Sequence, residues 1–254
     1  MNIIRASLRV QGGSARNGYC IYGHPAPSAA TGFAHALCAR AGLRQTSGVI
    51  FVINEYSDRA DSGSFGDNTF HMRRSAVRDT DKENKSQLDL PQNDFEATLI
   101  FTAEPTVAGP VQQRVEDVVE RMRFAGGTLV KAEVSTTDES LEAALARPGA
   151  VLTEPDIAPI NDDPFATLVE YSALKAGRKG WFVPSLVGYR LLEEPRQRQG
   201  ARGGYPHAYA DPLFWILEWQ RSYKVKNSLT QHMWRMVRHD RIIKFTTHGE
   251  FSNV

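Results

Sequence analysis

The chain has 254 residues, 41% of them hydrophobic and 23% charged, with a net charge of +1 and two cysteines. That length suits one elaborated domain or a domain with a subdomain, and the apolar content is enough for a real core. No apolar run approaches the ~20 residues of a membrane span, residues 1–10 lack a signal-peptide pattern, and Cys20 and Cys38 lack metal-ligand spacing. The expectation is a cytoplasmic protein with two reduced thiols, no metal and no cofactor.

The near-zero net charge conceals a strong asymmetry. Residues 1–56 carry five basic and one acidic side chain, a balance of +4; residues 57–170 carry eleven and twenty-two, a balance of −11; residues 171–254 carry fourteen and six, a balance of +8. Basic ends and an acidic middle suit a chain whose ends face a polyanion, although clustering on solvated faces gives the same count.

Taken in order, Asn2 to Gln11 alternates, with Ile4, Ala6, Leu8 and Val10 on one side and Arg5, Ser7 and Arg9 on the other, which predicts a half-buried strand with a basic outer face. A glycine-rich loop containing Arg16 follows. Thr31 to Ala41 predicts a helix stopped by Gly42, and Val49 to Ile53 a short buried strand. Residues 57–93 lack periodicity and predict a long exposed loop or hairpin insertion that becomes ordered on binding. It carries a basic island of His71, Arg73, Arg74 and Arg78. Phe95 to Phe101 alternates as a strand. Pro110 opens a helix with Val111, Val115, Val118 and Met122 at helical spacing, closed by Gly126, and Leu129 to Val134 predicts the next strand. Beyond it, Asp163 to Lys175 predicts a helix, Gly180 to Leu192 a strand or hairpin, and Pro212 to Tyr223 an aromatic amphipathic helix. Asn227 to Trp234 predicts a further helix and Arg241 to Thr246 a closing strand.

The order β-α-β-(insertion)-β-α-β predicts an α+β fold with a ferredoxin-like, RNA-recognition-type core over residues 1–136. The remainder, 137–254, is expected to be an irregular C-terminal extension packed on that core.

Several residues are candidates for nucleic-acid contact. The Gly126-Gly127 turn would let a phosphate approach backbone N–H groups, with Arg121, Arg123 and Lys131 offsetting the helix dipole; a plain C-cap glycine explains Gly126 equally well. Arg5 and Arg9 would line an RNA-facing sheet or stand inert on a solvent face. Arg73, Arg74 and Arg78 would clamp phosphates through their guanidinium forks. Trp181 and Tyr189 would stack on bases, against the commoner role of core aromatics. Phe214, Trp215, Trp219 and Tyr223 mark one helical face, for the core or a partner. His232 and His239 are too loosely spaced for a metal pair. Phosphate-loop, dinucleotide and hydrolase motifs are absent. An enzymatic alternative is metal-independent RNA cleavage, with His24 or His35 as general acid/base assisted by Tyr19 or Tyr22. A general RNA-recognition protein is a third reading, disfavoured by the missing Lys/Arg-Gly-aromatic run.

Three blocks carry a resemblance. They are Gly23-His24-Pro25-Ala26-Pro27-Ser28 running into Thr31-Gly32-Phe33-Ala34-His35-Ala36-Leu37, then Met122-Arg123-Phe124-Ala125-Gly126-Gly127-Thr128-Leu129, then Gly180-Trp181-Phe182-Val183-Pro184 with Gly188-Tyr189. In order and content they resemble the Cas-five-class subunit, of the RAMP superfamily, found in the Csy complex of type I-F CRISPR systems. Asp211-Pro212-Leu213-Phe214-Trp215 is a fainter echo. The resemblance implies a non-catalytic subunit that grips the 5′ handle of the guide RNA (crRNA). Such a subunit caps a filament of Cas-seven-class backbone subunits and pairs with the large subunit that inspects target DNA. Arg16 and His35 are further candidate RNA contacts. Family members are longer, with a central helical insertion that this chain lacks, in keeping with a compact variant.

Overall fold

The computed structural model describes residues 2–18, 21–62, 68–70, 72–75, 88–138, 140–145, 147–173, 179–199 and 205–248, with the backbone alone for 60–90 and Lys226. In chain order the elements are β1 (Asn2–Ser14), α1 (Pro27–Arg40), β2 (Leu43–Gln45), β3 (Ile50–Asp58), β4 (Ala60–Ser62), β5 (Asn68–Phe70), β6 (Met72–Ser75) and β7 (Leu88–Pro105). Then come α2 (Val111–Val119), β8 (Arg123–Phe124), β9 (Gly127–Thr137), α3 (Leu141–Ala144), β10 (Ala150–Thr153), α4 (Pro164–Ser172) and β11 (Trp181–Leu191). The chain ends through β12 (Ala210–Arg221), α5 (Ser222–Val225), a 3₁₀ turn (Lys226–His232), β13 (Arg235–His239) and β14 (Ile242–Thr246).

Alternation in β1 sets the first layer. Its even-numbered apolar residues Ile4, Ala6, Leu8 and Val10 are buried under α1 and α2, and their neighbours Arg5 and Arg9 turn to the other face. β1 runs antiparallel between β7 and β9, and β7 pairs in turn with β3, so the order is β3-β7-β1-β9 with α1 and α2 as the two crossovers. Phe124, fully buried, meets the rings of Phe33, Phe51 and Phe95 edge-on, with centroids 5.5, 5.9 and 5.8 Å apart. The recognisable block around it is therefore a core keystone as well as a turn.

The predicted insertion is partly sheet. β3 continues to Asp58, β4 and β5 form a hairpin, and β6 pairs with the start of β7.

Two expectations fail in the second half. The extension over 137–254 is not irregular: β10 joins β3, and β12, β11, β14 and β13 follow in the same antiparallel sheet. Residues 212–223 are strand rather than helix. β12 lies between β10 and β11 and both of its faces are covered, by the main core and by α4, so its apolar residues follow no period of two. Leu217 and Trp219 join the main core, with Trp219 6.0 Å from Phe51. The helical spacing of Phe214, Trp215 and Trp219 was coincidental, and aromatic enrichment suits a strand. Asp163 does cap α4, accepting from the N–H groups of Phe165 and Ala166.

A polar staple ties the far strands together. The nearly buried Glu154 carboxylate accepts from Lys244 Nζ at 2.8 Å, from Thr246 Oγ1 and from the Thr247 N–H at 3.1 Å. Burial alone would raise this carboxyl, but the bonds from Lys244 and Thr246 more than offset it and hold it below its ordinary value. A depressed folded-state value means that the unfolded chain binds the extra proton. The staple's contribution is thus present above about pH 4.3 and lost as pH falls from there through the lower folded value. In thermal melts across pH, Glu154→Gln is expected to be less stable than the wild type at neutral pH, with the gap closing in acid. A gap constant with pH would exclude the staple as a source of acid sensitivity.

Candidate functional site

The loop between β1 and α1 decides where the site lies. Asn17, fully buried, accepts the Leu186 N–H at 2.8 Å and donates through Nδ2 to Ser185 Oγ at 2.8 Å. His24, also buried, meets Trp219 edge-on with centroids 5.5 Å apart, and its Nδ1 lies 3.0 Å from the Pro25 carbonyl. Burial lowers its pKa, partly opposed by hydrogen bonds with the Pro25 and Pro184 backbone. This node fastens the loop to β11 and delivers the chain into α1. It also makes His24 a core residue, withdrawn from the acid/base role weighed above.

Above the node opens a cleft of about 340 Å³, walled by Ser14, Arg16, Ser28, Ala125, Leu186 and Tyr189 among others. Arg16 is half-buried there, its Nε donating to the Gly18 carbonyl at 2.9 Å. The first turn of α1 contributes Pro25, Ala26, Ser28 and Ala29. Its N-cap, Ala26, supplies no side-chain bond, and Pro27 occupies the first turn, so the positive end of the helix dipole is left uncapped beside the cleft. Among the described residues no acidic side chain lines it. An anion entering meets a guanidinium, a helix N-terminus and backbone.

The third wall is a turn, and here the sequence reading needs correcting. Gly126 does not cap α2, which ends at Val119. Arg123 pairs with Thr128 and Phe124 with Gly127, so Ala125 and Gly126 are the two-residue loop of a hairpin. Their φ values of 47° and 76° fit a type I′ turn, which needs φ > 0 at both positions. The Ala125 carbonyl accepts the Ser14 N–H at 2.8 Å, holding the hairpin against the end of β1. Gly127 is buried for a separate reason: a Cβ there would lie 2.6 Å from Val10 Cγ1 and 2.8 Å from the Gly13 backbone.

The other predicted residues scatter. Arg121 and Arg123 are exposed beside the hairpin. Arg5, Arg9 and Lys131 lie on the sheet face opposite α1, away from the cleft. Arg9 sits directly between Glu96 and Lys131 in register and Ser7 faces Glu133. Arg9 lies 3.9 Å from Glu96, Arg147 reaches the same carboxylate at 2.8 Å, and Lys131 pairs with Glu133 at 2.6 Å. Hydrogen bonding and charge from Lys131, with Arg147 and Arg5 adding charge, hold the Glu133 carboxyl low. Arg5, Arg9, Lys131 and Arg147 thus share that face with the carboxylates of Glu96 and Glu133. His35 stands exposed on α1, in a separate groove of about 560 Å³ with Gln45, Arg235 and Met236. Trp181 is 62% exposed at the opposite end of β11 from Tyr189, about 26 Å away along the strand. Arg73 and Arg74 fall in β6, opposite Leu90 and Asp89. Their side chains, and Arg78 entirely, lie outside the described residues, as do Tyr19 and Cys20. Burial pushes the Cys38 thiol up to about 12, as expected of an inert core cysteine.

Among the described residues no helix is long and apolar enough to cross a membrane, and no cluster of metal-ligating side chains occurs. A search among curated proteins finds no match. The family described as CRISPR-associated protein (Cas_Csy2) matches residues 3–147 and 156–242, the greater part of the sequence and all three walls of the cleft. On that match the chain belongs to the Cas_Csy2 family and is a Csy-complex subunit of a type I-F CRISPR-Cas system.

Proposed function

We propose that this chain is the RNA-binding cap of its complex, holding the 5′ handle of the crRNA in the cleft at the start of α1. The observation that carries this reading is the convergence of Arg16, the uncapped α1 N-terminus and the Ala125-Gly126 hairpin on one cleft that no acidic side chain lines among the described residues, with Tyr189 at its edge. Backbone donors and a guanidinium fix phosphates, and a half-buried tyrosine offers a surface for a splayed base. The strand order β3-β7-β1-β9 with two crossover helices supports a ferredoxin-like, RAMP-type core of the Cas-five class. Family membership supports the remaining assignments: a cytoplasmic, non-catalytic subunit that ends a filament of Cas-seven-class backbone subunits and sits beside the large subunit over target DNA.

The test is the affinity of the full chain for a labelled handle RNA, measured by fluorescence anisotropy across salt concentrations. Arg16→Glu is expected to weaken binding at least tenfold and flatten the salt dependence, because a phosphate contact releases counterions. Arg16→Gln, which keeps a donor near Gly18, separates lost charge from a disturbed loop and is expected to flatten the slope likewise. Unchanged affinity and slope in both variants would place the handle elsewhere.

A further inference from the structure

β11 and β12 do not stop at the cleft. Tyr189 and Pro212, which line it, face each other in register, and the ladder runs on through Arg190–Asp211 and Leu191–Ala210. Beyond it the chain forms an arm over residues 192–199 and 205–209. The Leu192 N–H donates to the Tyr209 carbonyl at 2.9 Å, and Arg196 and His207 exchange backbone bonds at 3.0 and 2.8 Å.

The arm is fastened from within. Glu193 accepts the Tyr209 N–H at 2.9 Å and pairs with Arg196 at 3.1 Å and with Arg198. Arg198 is thereby laid over the Tyr209 ring, 4.6 Å from its centroid. Glu194 is met by Arg241 of the fold at 3.5 Å, so both of the arm's carboxylates face cations. Its two tyrosines remain largely open to solvent, Tyr205 at 73% and Tyr209 at 67% exposure, with one face of Tyr209 against Arg198. Large rings held out from a braced hairpin, one of them backed by a guanidinium, are preordered stacking surfaces that give up little conformational freedom on binding.

We propose that this arm is a second nucleic-acid contact, taking single-stranded RNA or DNA that continues from the cleft, with Tyr205 and Tyr209 as stacking platforms and Arg196 beside them for phosphate. The proposal rests on the RNA-binding reading of the cleft, and its test keeps the two apart. The full chain is titrated with a labelled single-stranded RNA, a DNA strand of the same sequence and an RNA duplex. Replacing both tyrosines (Y205A with Y209A) is expected to weaken single-strand binding about tenfold or more, with the salt slope unchanged, because stacking releases no counterions. Which strand loses affinity, RNA or DNA, identifies the natural source. Y205F with Y209F is expected to retain binding, and both exposed pairs to leave the melting temperature unchanged. Should the alanine pair bind both strands within twofold of the wild type while Arg16→Glu still weakens RNA, the arm is excluded and the cleft stands. Loss of a protein subunit from the complex with single-strand affinity intact also overturns the proposal, making the arm a protein contact. A wild type that binds no probe removes the cleft reading and the arm with it.

Discussion

Trp234→Ala is expected to cost about 4 kcal/mol of folding stability, by the cavity it leaves. Trp234 is fully buried, and its Nε1 donates to the Leu152 carbonyl at 2.8 Å, tying β10 to the start of β13. Its backbone exchanges bonds with Val49 at 2.7 and 2.8 Å, and Gly48 lies so close that a Cβ there would sit 2.8 Å from the Trp234 carbonyl. Three stretches distant in sequence therefore meet on one side chain. Removing it opens a void and strips a donor from a buried carbonyl, each destabilising in its own right. Trp234→Phe, which fills most of the void and loses only the N–H, is expected to cost less than half as much. Urea titration checks both. A cost under about 1 kcal/mol for the alanine variant would mean that the C-terminal strands are held by something other than this residue.

The second large effect separates two adjacent glycines. Gly127→Ala is expected to lose about 2–3 kcal/mol, because its Cβ would strike the Gly13 backbone and two packed main chains have no rotamer with which to yield. Relief requires β9 to move from the end of β1, which shifts the Ala125-Gly126 turn that Ser14 holds at the cleft. Handle-RNA affinity is expected to fall with stability. Gly126→Ala meets nothing within 4 Å and bears only the strain of its φ of +76°, about 1 kcal/mol. Paired melts and binding curves decide the order. A milder Gly127→Ala than Gly126→Ala would contradict the packing described for this corner.

Much of the N-terminal half is legible in the sequence because its signals are local. The alternation of β1 shows directly in Ile4, Ala6, Leu8 and Val10, and Pro110 with the Val111–Val115–Val118 spacing marks α2. What escapes reading is whatever depends on a distant partner. β12 lost its period through being covered on both faces, and its aromatics then imitated a helix. Arg9 reads as part of a purely basic face because nothing local says that Glu96 will be carried beside it; Glu133, two residues from Lys131 on the same strand, is a local neighbour. Gly126 and Gly127 stood out correctly as special, but their reasons, a hairpin turn and contact with Gly13, needed the register of β8, β9 and β1. Asn17 shows the limit most sharply. A polar residue in a glycine-rich loop carries no local mark of burial, and its partners Ser185 and Leu186 lie 168 and 169 residues away.

The central claim, that the handle lies in the cleft at the start of α1, is tested most directly by crosslinking within the assembled complex. Photoreactive nucleotides in the 5′ handle of the crRNA would be irradiated and the crosslinked peptides mapped. Adducts on residues 14–29, on the 121–128 hairpin or on β11 around Tyr189 are the predicted result. Adducts confined to other subunits, or to the Arg5–Arg9–Lys131 face of the sheet, would contradict it.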